Sequence, residues 1–112
     1  VISILRRWAQ LHPEVVRVII YGSRARGEHR PDSDFDVALE LASLRFGETP
    51  IEVWLTQADL WRKELTPLVP WNLHLEWHSL EGKTPAVESK IDLGHYVVFN
   101  RTTWGNEEGD SV

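Results

Sequence analysis

The chain has 112 residues, 42% of them hydrophobic, with no cysteine and a formal net charge of -5. That length holds one compact domain with one modest core, and the missing cysteine excludes a disulfide framework and a thiolate zinc site. The negative balance argues against a broad basic face for long nucleic acid, where phosphate neutralisation dominates affinity, and with no apolar run of bilayer length and no basic-then-apolar leader we expect no membrane contact and a cytoplasmic location.

The elements follow in chain order. Residues 1–12 place Ile2, Leu5, Trp8 and Ala9 at helical spacing, and Pro13 closes the segment, so a short amphipathic helix is expected. "VVRVIIY", Val15 to Tyr21, is β-branched and nearly continuous, the pattern of a strand covered on both faces, and it ends at Gly22. Ser23 can cap a short helix over "RARGEH", after which Pro31, Asp32 and Ser33 make a turn. In "DFDVALEL" the period of two puts Asp34, Asp36, Ala38 and Glu40 on one face and Phe35, Val37, Leu39 and Leu41 on the other.

Beyond a loop containing Gly47, Thr49, Pro50 and Glu52 read as a capping-box start. Ile51, Leu55, Ala58, Trp61 and Leu65 then follow at helical spacing, and the helix should end near Leu65, ahead of Pro67. "WNLHLEWH" alternates as a third strand, with Leu73, Leu75 and Trp77 on one face and His74, Glu76 and His78 on the other. Thr84 and Pro85 open a short helix to about Leu93, stopped at Gly94, and "HYVVFN" is a short last strand. This order predicts a single α/β domain of the α+β kind over residues 1–101, followed by a polar, flexible tail over 102–112.

Two local patterns carry chemistry. A strand that ends in Gly22 and turns at Ser23 presents free backbone N–H groups and a hydroxyl, a corner able to hold phosphate; taken alone, such a pair is also an ordinary tight turn with a cap. Asp34 and Asp36, one residue apart on a strand, point the same way and repel unless a cation lies between them. Mg²⁺, which takes oxygen ligands and is held by one or two carboxylates plus substrate phosphates, is the natural occupant; a solvated strand entry is the plain alternative. Arg24 and Arg26 lie between corner and acids, where a guanidinium could meet triphosphate oxygens, but a single helical turn lets only one face inward.

Other polar residues invite less. His74 and His78 share the face of Glu76, but ligands two apart on one strand splay away from tetrahedral closure, so they are read as flanking a cleft rather than as a His-Glu-His metal site. His12, His29 and His95 are read as boundary residues, Asp32 as a turn former, and Trp54 and Trp61, seven apart on the long helix, as core.

The segment "GSRARGEHRPDSDFD" resembles the Gly-Ser, ten residues, Asp-x-Asp signature of the DNA polymerase beta-like nucleotidyltransferase superfamily. Its "GSRARG" and small size are most similar to the minimal nucleotidyltransferases, which include antitoxins paired with helical HEPN toxins. The resemblance implies a mixed β-sheet flanked by helices in the polymerase beta-like fold, with Gly22, Ser23, Arg24 and Arg26 binding a nucleoside triphosphate. It also implies a third carboxylate on a later strand, for which Glu76 is the candidate where many relatives carry Asp; Asp34, Asp36 and Glu76 would then bind two Mg²⁺ ions and support catalysis. The implied reaction is transfer of AMP from ATP to a hydroxyl, that of a tyrosine in a HEPN-type partner, whose surface would supply the acceptor site this short chain lacks. A binding antitoxin or assembly subunit without catalysis, and a small-molecule nucleotidyltransferase, are the alternatives; a homo-oligomer is compatible with either.

Overall fold

The structure is a computed structural model that describes residues 1–101; the polar tail expected over 102–112 lies outside the described residues. The elements are α1 (Ile2–Gln10), β1 (Val15–Tyr21), β2 (Phe35–Leu41), α2 (Pro50–Leu65), a 3-10 turn (Thr66–Leu68), β3 (Leu73–Trp77), α3 (Pro85–Asp92) and β4 (His95–Asn100). The strands form one mixed sheet in the order β3-β2-β1-β4, antiparallel at β1–β2 and β1–β4 and parallel at β2–β3. The domain is therefore α+β, as the order of elements predicts. Among the described residues no helix is long and apolar enough to cross a membrane.

The two faces of the sheet are built differently. On one, Leu5, Trp8 and Ala9 of α1 and Val53, Trp61 and Leu65 of α2 pack with Val18, Ile20, Val37, Leu39 and Leu75 in the main core. On the other, among the described residues, α3 alone covers the sheet, through Ile91 against Ile19, Tyr21 and Ala38. The 3.6-residue period of α1 and α2 supplies the apolar stripe that the first face needs. The period of two in the strands leaves Arg17, Asp36, Glu40, His74, Glu76 and His78 on the second face, beside α3.

Bulges tune this alternation. β1 shifts register between Val15 and Arg17, so that Val15 pairs with Leu41 in the main core while Arg17 pairs with Glu40 on the polar face. A second shift, between Val18 and Ile19, lets the consecutive Val98 and Phe99 of β4 both join the main core. Arginines fasten the helices to the sheet. Arg101 donates to the carbonyls of Ala9 (2.7 Å), Val15 (3.0 Å) and His12 (3.2 Å), placing a cation at the C-terminal end of α1 where the helix dipole favours it. Arg62 of α2 donates to the Leu75 carbonyl at 3.2 Å.

The capping box forms as expected: the Thr49 amide and hydroxyl donate to Glu52 Oε1 at 3.1 and 2.8 Å. The expected short helix over "RARGEH" does not form. Residues 22–27 make a bend and a turn closed by Arg26 N–H to Gly22 O (3.3 Å), Gly27 N–H to Arg24 O (3.4 Å) and Glu28 N–H to Ser23 O (2.9 Å), with Gly27 at φ +72°. These three bonds span four, three and five residues and so build no repeating helical ladder, and the left-handed Gly27 ends the turn at once.

Trp61 is the largest side chain sealed in the core, 1% exposed and edge-on to Trp8 with ring centroids 5.6 Å apart. Trp61→Ala should cost about 3–5 kcal/mol of folding free energy, read as a lowered urea midpoint with an unchanged slope.

Candidate active site

The Gly-Ser corner and the acids meet at one end of the sheet because β1 runs toward it and β2 runs back from it. Tyr21, the last residue of β1, pairs with Asp36, the second residue of β2. The next residue, Gly22, has φ +78°, and a β-carbon built there would collide with Asp36 Oδ2. Position 22 therefore requires glycine twice over, for its backbone angle and for the carboxylate lying against it. Ser23 opens the following turn, and the amides of Ser23, Arg24 and Ala25 precede the first closing bond, as at a helix N-terminus.

The two arginines go separate ways. Arg24 donates to the carbonyls of Ser33 (2.9 and 3.1 Å) and Pro31 (3.3 Å), with its guanidinium 4.2 Å from the centroid of the Trp71 ring. It knits the loop between corner and acids shut. Arg26 pairs with Glu28 at 3.0 Å, and its stem lies against Gly94, where a β-carbon would sit 2.9 Å from Arg26 Cγ. Arg26 thus reaches the junction of α3 and β4, on the side of the sheet that bears the acids.

β3 supplies the far wall. Asp34 Oδ1 accepts from the Asn72 amide at 2.9 Å, and His74 Nδ1 lies 3.2 Å from Asp36 Oδ1, its proton donated when that nitrogen carries it. Glu76 stands opposite Ala38, one row farther along the same face. Tyr21 joins the group electrically: its phenol, 2% exposed as a residue, is pushed above the ordinary tyrosine range by burial, then by the charge of Asp36, then by that of Glu76. Gly22, Ser23, Asp36 and Glu76 thus gather around Tyr21 and the end of β1, with Asp34 at the rim. Among the described residues no group of three His, Cys, Asp or Glu side chains is arranged to hold a metal ion.

A cavity of about 740 Å³ lies on the opposite, helix-covered side of the corner, between the start of α1, Ile20, Ala25, Phe35 and Trp71. None of the three carboxylates lines it. Trp61 is core and Trp54 is half-buried, carrying Arg62 above its ring at 5.1 Å. His12 stacks on Trp8 with centroids 4.4 Å apart.

Sequence reasoning missed Tyr21, Asn72 and the bond from His74 to Asp36. Each depends on which strands are neighbours and in what register, which a period of two does not encode. The one available signal was the polar character of Asn72 and His74 at the entry of an otherwise apolar strand.

The model of the nucleotidyltransferase domain family matches residues 1–93, and this chain belongs to that family. Two solved structures share the fold, each with a TM-score of 0.58 over 88% of this chain. One, described as a toxin-antitoxin with AMP-PNP, is 17% identical over 70% of its own length. The other, the toxin-antitoxin MntA-HpeT with two aspartates replaced by glutamate, is 13% identical over 71% of its length. At those identities the likeness is one of fold. The comparison with curated proteins finds no match.

The raised Tyr21 pKa carries a pH dependence of stability. Above about pH 10, the ordinary tyrosine value, the unfolded chain releases the phenolic proton while the folded chain retains it, so the folded state binds more protons and stability falls as pH rises. This contribution is fully present below that window. Urea midpoints measured at about pH 8 and about pH 10.5 should show the decline, and Tyr21→Phe should remove its share of it.

Proposed function

We propose that this chain is a Mg²⁺-dependent nucleotidyltransferase that moves AMP from ATP onto a tyrosine hydroxyl of a helical HEPN-type toxin and so acts as its antitoxin. The observation that carries the reading is the contact at Gly22, where the turn that would hold phosphate lies against the Asp36 carboxylate at a left-handed position that favours glycine. Family membership supports the reaction class, and the origin of both similar structures in toxin-antitoxin complexes supports the partner.

The donors suit the metal. By chemistry Asp34, Asp36 and Glu76 offer hard carboxylate oxygens, although among the described residues no three such side chains are arranged as a metal site, and a cation there would offset the charge of Asp36 and Glu76 that disfavours ionisation of Tyr21. These residues would hold Mg²⁺, which when bound neutralises triphosphate charge and favours the deprotonated acceptor oxygen. The chain's own groups do the rest. The amides that open the turn after Gly22, with the Ser23 hydroxyl, hold the phosphates. Arg24 keeps the loop in shape, and Arg26 stands on the acid side of the sheet to meet phosphate oxygens if it exchanges Glu28 for them. Transfer forms a bond from the acceptor oxygen to the α-phosphorus and breaks the bond to pyrophosphate, a reaction that asks the protein for alignment and charge neutralisation.

One observation favours a second reading, a binding antitoxin without catalysis: Asp34 and Asp36 already engage Asn72 and His74. The two readings part on one assay. With Mg²⁺-ATP and a cognate toxin, the toxin should gain one adenylate in mass, chelation should abolish the gain, and Asp36→Asn should reduce its rate by more than the about 10–100-fold typical of an outer-shell change. No adenylate gain, together with toxin neutralisation that survives Asp36→Asn, would leave binding as the function.

A further inference from the structure

The polar face of β2 reads Asp34, Asp36, Ala38, Glu40, and that of β3 with its flanks reads Asn72, His74, Glu76, His78. Three hydrogen bonds cross between them at a constant offset of 38 residues: Asn72 to Asp34 (2.9 Å), His74 with Asp36 (3.2 Å) and His78 with Glu40 (2.9 Å). At the remaining rung Glu76 meets Ala38, which presents no polar group. The ladder continues past both ends of β3, with Phe35 N–H to Asn72 O at 2.9 Å and His78 N–H to Leu39 O at 2.8 Å.

The opposite face of these strands holds Val37, Leu39, Leu75 and Trp77 in the core. A one-residue slip of β3 would turn those side chains outward and is excluded by burial, but a two-residue slip keeps apolar on apolar. The polar face decides between the remaining registers. Moved two residues one way, Glu76 faces Asp36; moved two the other way, Glu76 faces Glu40. Either slip sets two carboxylates against each other, and only the observed register gives three acids a donor.

The rungs are unequal in weight. His74 is more than half exposed, so water competes for its bond. Glu40 is 1% and His78 11% exposed by side chain, and Arg17 from β1 closes on Glu40 Oε2 at 3.2 Å. The cluster is not arranged for maximal stability, since His78 Nε2 and Arg17 Nε are buried with no hydrogen-bond partner among the described residues. Buried polar groups of this kind are best attested as setting register.

We propose that the Glu40–His78 pair, braced by Arg17, is a positioning element that fixes the register of β3 and so holds Glu76 opposite Ala38, one rung along from Asp36 rather than against it, an inference that rests on reading those acids as the transfer site. Neither residue touches substrate; both act through Glu76.

Cross-strand nuclear Overhauser contacts between β2 and β3, and Mg²⁺-dependent ATP affinity, test it in the full chain. Wild type should show a single register. Glu40→Leu combined with His78→Leu should show a second register or lost β3 contacts, with ATP affinity reduced about 10-fold or more, whereas His78→Asn, whose amide nitrogen takes the place of Nδ1 and can still donate to Glu40, should keep both. Leucine-pair protein with one wild-type register and wild-type affinity would overturn the proposal, as would His78→Asn behaving like the leucine pair. If the leucine pair does not fold, Glu40→Gln carries the same two readouts. Absence of Mg²⁺-dependent ATP affinity in wild type would instead sink the transfer reading, and the register contacts alone would then decide whether the pair is a lock.

Discussion

At position 22 the backbone turns through φ +78° and the carboxylate of Asp36 fills the volume that a β-carbon would occupy; from this close approach follow the direction of the loop, the placement of Ser23 and the crowding of charge around Tyr21. A glycine loses more conformational freedom on folding than any other residue. It is tolerated here because β1 and β2 are antiparallel neighbours, so the residue after Tyr21 is forced over the partner of Tyr21. The corner and the acids are one surface because two strands meet there.

Around that point the sheet divides its labour. The helix-covered face carries nearly all the large apolar side chains, and the face under α3 carries the charge. Charge on a half-covered face is held by pairing: Arg17 and His78 serve Glu40, Asn72 serves Asp34, and His74 serves Asp36. Glu76, opposite Ala38, stands outside this pattern, and with Asp36 it raises the Tyr21 phenol. A carboxylate with no donor across the ladder is the one best placed to accept a cation.

Most elements were legible because their signals are local. Thr49, Pro50 and Glu52 announce a helix start through bonds within one turn, and the alternation of "DFDVALEL" and "WNLHLEWH" assigns faces without knowledge of neighbours. The segment after Ser23 was misread for the same reason: cap chemistry suggested a helix, but Gly27 takes a left-handed angle and the closing bonds differ in span instead of repeating at four residues. Arg24, read with Arg26 as a pair of which one could face phosphate, reaches to Pro31, Ser33 and Trp71, contacts that its position in sequence does not announce.

By itself the sequence determined the α+β order, the apolar faces and the pairing of a Gly-Ser corner with two acids on one strand. Those are short-range facts, fixed by side-chain periodicity and by residues within a turn of each other. Tertiary structure decided that β3 lies beside β2 in parallel, which acids acquire donors, and that Tyr21 shares the field of Asp36 and Glu76. Those depend on strand order and register, and the free energies that choose them arise only when side chains from distant segments compete for the same partners.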